Sequence, residues 1–432
     1  MRFFAGLLLG MALAAGNAQA QVMLIGSNKV IFDPSKDNAA PATIAVRAGR
    51  ILAIKPGRVE RGAFPEISER ESVETVDLGD KTVLPGLIDL HVHLSFDPGT
   101  PYWKDAVVTD EYSTAVGVKN ALLTVRAGFT TVRDVGSAPD VGFALRDGIR
   151  DGLFPGPRMQ ASGPAVSIIG GHGDVSNFRR EVIDALSAHN TCTGVDECAA
   201  RVREASRAGA DVIKITETGG VLSQQARGLD KHFTDAEVQS IVSTAHGLGL
   251  KVAAHAHGPR GIESASRAGI DTIEHGTFAD DAALKAMKAN NVAFVPTLMA
   301  FTGIEERVGK GIYTPQVDAK VRQVLTQRGQ ALGKAIAMGI AVGFGTDSGV
   351  FEHGRNGEEF ALMVRYGGMT PRAALTSATL TAASLMGLQD EVGTLAVGKS
   401  ADIIAVDGDP LADPKALTQV RFVMARGGVI PM

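Results

Sequence analysis

The chain has 432 residues, 43 Lys and Arg against 47 Asp and Glu, a formal net charge of -4 and 51 glycines spread along its length. Balanced charge with no basic stripe excludes nucleic acid as a partner. The length exceeds the roughly 250 residues of a plain βα barrel, so a second unit or long insertions are required of any such fold.

Residues 1–20 hold one basic residue, Arg2, an apolar run from Phe3 to Ala15, and then Ala18-Gln19-Ala20. This pattern predicts a secretory leader cleaved after Ala20, because the run is too short to span a bilayer. The expectation is a periplasmic or secreted protein with no membrane association. From Gln21 to about Leu84, alternating patterns (QVMLIG, TIAVRAGRILAI, ETVDLGDKTVLPG) predict strands without helix. The stretch from about Gly393 has the same style in GTLAVGKSADIIAVDGDP and VRFVMARGGVI. Pairing of the two ends, 21–84 with 393–432, into one small β-sandwich would tie down both termini.

Between them, residues 85–392 alternate apolar runs with helical patterns. The runs are IDLHVHL, GFTTVRDVG, PRMQASG, DVIKI, KVAAHAH, DTIEHG, NVAFVPTL and IAVGFGTDS, with helical periodicity at 234–248 and 282–290 among the connections. Eight strand–helix units predict an α/β fold, a (β/α)8 TIM barrel, whose chemistry sits at the C-terminal ends of its strands. Cys192 and Cys198, the only cysteines, lie six apart in a polar segment, and an oxidising compartment favours a local disulfide between them.

The strand ends supply His91 and His93, Lys214, His255, His275 and Asp347. Histidines at i and i+2 share a strand face, and a closed barrel brings all six side chains to one mouth. Imidazoles with one carboxylate suit zinc or a similar divalent ion. An ammonium group beside two dications would be repelled. Lys214 therefore belongs to the cluster only as a neutral amine that takes up carbon dioxide, giving a carbamate able to bridge two metals. Glu274, preceding His275, is expected to point away from the cavity by strand alternation and to be structural. Arg133 and Asp134 are expected to form a supporting pair.

With IDLHVHL, GADVIKI, AAHAH, IEHG and GTDS in this order, the chain resembles the amidohydrolase superfamily over essentially its whole length after the leader. It looks like the binuclear subtype with a carboxylated lysine. The GGHGD loop (Gly170 to Asp174), the surroundings of AAHAH and the EHGRNGEE loop are similar to the imidazolonepropionase-like prolidases. That branch includes secreted bacterial enzymes that hydrolyse the phenylalanine amide of ochratoxin A. The resemblance implies that His91, His93 and Asp347 hold the more buried ion, that His255 and His275 hold the outer one, and that N6-carboxylated Lys214 bridges them. It also implies the composite end domain and a homo-oligomer, with an octamer among the family's assemblies. His232 stands where several relatives carry tyrosine, which makes it the candidate for polarising the substrate carbonyl.

Two metals sharing a hydroxide supply a nucleophile at neutral pH, and Asp347 would pass the proton to the leaving nitrogen. The expected reaction is hydrolysis of an amide in dipeptides or N-acyl amino acids with a free carboxylate. His172, Arg227 and His257 are candidate substrate contacts, and the loop carrying His353, Asn356 and Glu358 is expected to line the pocket mouth. Alternatives are an Xaa-Pro dipeptidase, a mononuclear deaminase or cyclic-amidine hydrolase, against which Lys214 and the leader both argue, and an inactive assembly protein, against which the complete ligand set argues.

Overall fold

The computed structural model describes residues 21–224 and 228–432, with Asp105 described by its backbone alone. The leader expected at 1–20 and the candidate Arg227 lie outside the described residues.

Seven barrel strands follow the chain in order: Leu87–Val92, Phe129–Asp134, Arg158–Ala161, Val212–Thr216, Lys251–Ala256, Thr272–His275 and Ala293–Val295. The first three pair in parallel, as do the last four. Between the third and fourth strands the gap is bridged by Val166, whose N–H donates to Lys214 O at 2.8 Å while its carbonyl accepts from Thr216 N at 3.0 Å. The expected eighth strand is present as isolated bridges, Val342 to Phe294 and Ser348 to Val92. Leu90 N donates to Phe344 O at 2.9 Å and Asp347 N to His91 O at 2.8 Å, so this segment closes the (β/α)8 barrel against its first strand. Its irregularity comes from Gly343 and Gly345, which pass so close to Leu90, Val295 and His91 that neither position has room for a Cβ.

The helices that wrap the barrel follow local signals. Asp235–Gly247 begins in a capping box, with Thr234 Oγ1 accepting from Glu237 N and Glu237 Oε2 accepting from Thr234 N. Asp281–Ala289 is capped by the Asp280 side chain, which accepts from Ala283 N. Among the described residues, no helix is long and apolar enough to cross a membrane.

Both chain ends enter one eight-stranded sheet. Ile403–Val406 runs antiparallel to Thr82–Pro85, and Val420–Ala425 continues outward from it. Period-2 alternation divides these strands between two cores. Val83, Ile403 and Met424 pack with Ile25 and Ile44 inside the small unit, whereas Leu84, Ile404 and Val423 pack on the barrel. The sheet folds back on itself: the turn at Gly49 accepts from Ala401 N at 2.9 Å and lies against Gly427.

Cys192 and Cys198 are joined by a disulfide with Cα atoms 5.0 Å apart. The bridge ties the start of the helix Val195–Ala208 to a segment whose Asn190 amide donates to the carbonyls of Ala165 and Gly173. Its removal is expected to cost roughly 2 kcal/mol by freeing a short loop in the unfolded chain. Thermal unfolding of Cys192→Ser/Cys198→Ser should show a lower Tm than the oxidised protein, and equal Tm values would show that the bridge adds no stability.

Glu217, just beyond the fourth barrel strand, is buried against the helix Pro259–Arg267. Burial raises its carboxyl well above the usual range, with Lys231 opposing. A raised folded-state pKa favours the protonated form, so its contribution to stability is complete at acid pH and is lost as pH climbs toward that pKa. Glu217→Gln should therefore gain in Tm relative to the parent as pH rises from about 5 to 9. A constant Tm difference over that interval would contradict this assignment.

Candidate active site

The first barrel strand turns His91 and His93 to the interior. His91 Nδ1 meets Glu274 Oε2 at 2.8 Å and His93 Nδ1 meets the Gly136 carbonyl at 2.9 Å. With both Nδ1 atoms engaged, both Nε2 atoms face Asp347 Oδ1, each at 3.4 Å. Burial favours a neutral Asp347, but His91, His93 and His275 outweigh it and hold the carboxyl well below the usual range. Burial lowers His91 to about 4.

The fifth and sixth strands bring His255, His257 and His275 together, with ligand atoms within 4.8 Å of one another, and His91, His275 and Asp347 form a second such group. His275 belongs to both. Its Nδ1 is fixed by Thr297 Oγ1 at 2.7 Å, and His257 Nδ1 is fixed by Thr277 Oγ1 at 2.8 Å. His255 Nε2 lies 3.4 Å from Gly219 O. These partners orient the imidazoles and leave one nitrogen of each toward the cluster, as metal sites require. Burial pushes His255 and His275 well below their ordinary range. Neutral imidazole is the ligating form.

Lys214, on the fourth strand, is 4% exposed. Burial pushes its ammonium down to about 8 against the opposing charges of Glu274 and Asp347. It therefore shares the interior with the histidines.

Glu274 departs from the expected orientation. Its carboxylate is completely buried beneath the cluster, bonded to His91 and, at 2.8 Å, to Arg133 Nη2. Strand alternation fails because His275 has φ 70°, a left-handed conformation that turns consecutive side chains inward. Arg133 and Asp134 accordingly serve different partners: Arg133 Nε donates to Leu90 O at 2.7 Å, and Asp134 accepts from Leu94 N at 2.9 Å. Burial raises Asp134 to about 6 while Arg133 and His91 bring Glu274 to about 2 in spite of its burial.

The loop after the third strand carries His172 to the cluster, its ring centroid 4.3 Å from that of His255 and its Nδ1 2.5 Å from Ser223 Oγ. His232 lies on the loop after the fourth strand, where its N–H donates to Glu217 O at 2.7 Å and its ring faces Gly219. The loop after the eighth strand differs from expectation. His353 is buried and donates through Nε2 to Phe96 O at 3.0 Å. Asn356 donates to Asp89 Oδ2 at 2.8 Å, and Glu358 pairs with Arg355 at 2.8 Å. His353 thus binds the loop after the first strand, Asn356 the first strand itself and Glu358 its own loop. Thr277, Thr297 and Ser223 are supporting groups that motif reading missed. Asp89 carried a signal, being two residues before His91; it accepts from Thr346 Oγ1 at 2.6 Å and from His91 N at 3.0 Å.

A barrel mouth that gathers six imidazoles, one ionised carboxylate and a buried lysine over a charged floor defines a metal-dependent hydrolase of the barrel class. The chain belongs to the amidohydrolase family, whose profile matches residues 82–430. It is 31% identical to an ochratoxinase of Aspergillus niger over 364 residues, covering 78% of this chain and 74% of that one. Among solved structures it is similar to an Xaa-Pro dipeptidase with methionine bound in its active site, at 36% identity and TM-score 0.88 over 94% of this chain and 99% of the other. It also matches the structure of the A. niger ochratoxinase, at 26% identity and TM-score 0.81 over 95% and 96% of the two chains. The chain is thus a hydrolase acting on C–N bonds.

Since Glu274 fixes His91 from behind, Glu274→Gln should weaken the hold on a divalent metal ion, with zinc as the probe, by about 10- to 100-fold. Zinc retained during dialysis against a graded chelator measures this, and unchanged retention would sink the supporting role.

Proposed function

We propose that this protein is a binuclear zinc amidase acting on N-acyl or peptidyl amino acids that have a free carboxylate and a hydrophobic C-terminal residue, the phenylalanine amide of ochratoxin A included. The observation that carries this reading is the meeting of two ligand groups, His91–His275–Asp347 and His255–His257–His275, beside Lys214. His91, His93 and Asp347 would hold the inner ion, His255 and His275 the outer, and Lys214 both. The ions, when bound, activate water at neutral pH and polarise the amide carbonyl.

The remaining work falls to side chains. Lys214 first gives up its ammonium proton to solvent; the neutral amine would then attack carbon dioxide through Nζ, the N–C bond forming as one C=O π bond opens to a carboxylate and a second proton leaves the nitrogen, so that a cation becomes an anionic carbamate with loss of two protons. Asp347, kept ionised by the imidazoles, accepts a proton from the attacking water and delivers it to the leaving nitrogen. His172 and His257 contact the substrate, and His232 approaches its carbonyl. The leader at 1–20 and the disulfide support an extracytoplasmic location, and a homo-oligomer completes the proposal. Likeness to the Xaa-Pro dipeptidase favours dipeptides as the second substrate class.

Metal analysis together with a hydrolysis screen of N-acyl amino acids, Xaa-Pro dipeptides and ochratoxin A tests the reading. About two zinc ions per chain are expected, with activity lost in Lys214→Ala and kcat reduced about 10²- to 10⁴-fold in Asp347→Asn. A single ion, or activity that survives Lys214→Ala, would overturn the binuclear assignment.

A further inference from the structure

The helix Leu298–Glu305 follows the seventh barrel strand closely, and its N-cap is Thr297. A threonine at that position ordinarily turns its hydroxyl back to accept from an N–H of the first turn. Thr297 makes no such bond. Its φ of 48° is left-handed, its side chain is completely buried, and its Oγ1 lies 2.7 Å from His275 Nδ1. His275 is the histidine shared by both ligand groups. For its Nε2 to meet an ion as a lone-pair donor, Nδ1 must carry the proton and donate it to an acceptor, and Thr297 Oγ1 is that acceptor.

The cap that Thr297 does not make comes from another helix. Glu359, in the first turn of Glu358–Gly367, is completely buried, and its two oxygens accept separately from Leu298 N at 2.8 Å and Met299 N at 2.6 Å. Burial works against its charge and the two N–H groups work for it. A carboxyl group at this end of a helix satisfies donors that the helix leaves open, and its negative form suits the helix dipole. The two donors belong to the residues directly after Thr297, so Glu359 fixes the backbone on which the left-handed residue turns. Left without Glu359, those N–H groups would compete for the Thr297 hydroxyl, their ordinary partner. Helix start, threonine and histidine are thus held in series.

We propose that Glu359 is a positioning residue for the ligand His275: by capping the helix Leu298–Glu305 in place of Thr297, it frees the Thr297 hydroxyl to hold His275 Nδ1. The proposal deepens the metal-hydrolase reading of the cluster and rests on it. It extends the support of the ligand set from the barrel floor to a helix on the far side of the closing segment in sequence.

Glu359→Gln keeps the side-chain shape but sets an amide NH2 against one of the two helix N–H groups. Thr297→Val keeps the β-branched shape and removes the hydroxyl, whereas Thr297→Ser retains the hydroxyl. Metal-free parent, these three variants and the Glu359→Gln/Thr297→Val double variant would be titrated with cobalt(II), reading affinity and the visible absorption of the bound ion, with Tm measured alongside. Glu359→Gln should lower cobalt affinity by about tenfold and change the visible spectrum, and Thr297→Val should do the same. Thr297→Ser should keep the parent values, and the double variant should lose no more than either single variant, as expected of two residues acting through one contact. Should Glu359→Gln not fold, Glu359→Asp, which shortens the reach and keeps the charge, carries the same comparison. A lower Tm in the Glu359 variant with cobalt affinity and spectrum unchanged would make Glu359 a helix cap alone and overturn the proposal, as would losses that add in the double variant. A parent that binds no cobalt would defeat the metal reading itself, and the proposal with it.

Discussion

Glu274 joins three barrel strands by charge. Its carboxylate, without solvent, accepts from Arg133 on the second strand, meets His91 on the first, and accepts from Thr272 Oγ1 at 2.5 Å on its own. Burying an ion in a barrel interior is costly unless partners compensate it, and loss of one partner strands the others. The ligand geometry above depends on this arrangement. With Nδ1 of His91 committed to Glu274, only Nε2 is left for the metal side, and Asp347 sits where His91 and His93 share one of its oxygens. The barrel floor is thus a charged layer that sets the orientation of the layer above it.

Backbone conformation imposes a second constraint. His275, Thr297 and Asp347 have φ of 70°, 48° and 64°, in a region that non-glycine residues avoid. Each such residue costs on the order of 1–3 kcal/mol and persists only where its surroundings over-determine it. Here the surroundings are mutual: His275 is held by Thr297, and Asp347 by the His91 carbonyl. The strained positions are those whose side chains must leave the regular alternation of a strand to reach a common point.

This explains which parts of the molecule were legible in sequence. His91, His93, Lys214, His255 and Asp347 end apolar runs, and a barrel converts such ends into one cluster, so motif order and period-2 reasoning found them. The same reasoning sent Glu274 outward, because nothing in IEHG announces a left-handed histidine. The closing segment was recognised as a strand from its apolar character, but its two glycines make it a string of single bridges. His353, Asn356 and Glu358 were singled out because they follow a ligand, and nothing in the sequence signalled the partners that fix them, Phe96 O, Asp89 and Arg355.

The shared end sheet bears on how the chain comes to be folded. Thr82–Pro85 leads directly into the first barrel strand, and its partner edge is supplied by Ile403–Val406, with Gly86 N donating to Asp402 O at 2.9 Å. During synthesis that edge, apolar on both faces, stays unpaired until residues 403–406 emerge, and the barrel cannot close on its first strand before residues 341–348 are made. The pairing that joins the two chain ends and closes the barrel is therefore deferred to the end of translation, which lengthens exposure of these strand edges. The last strands made thus act as the latch of the whole fold, since they complete both the end sheet and, with residues 341–348, the wall of the barrel.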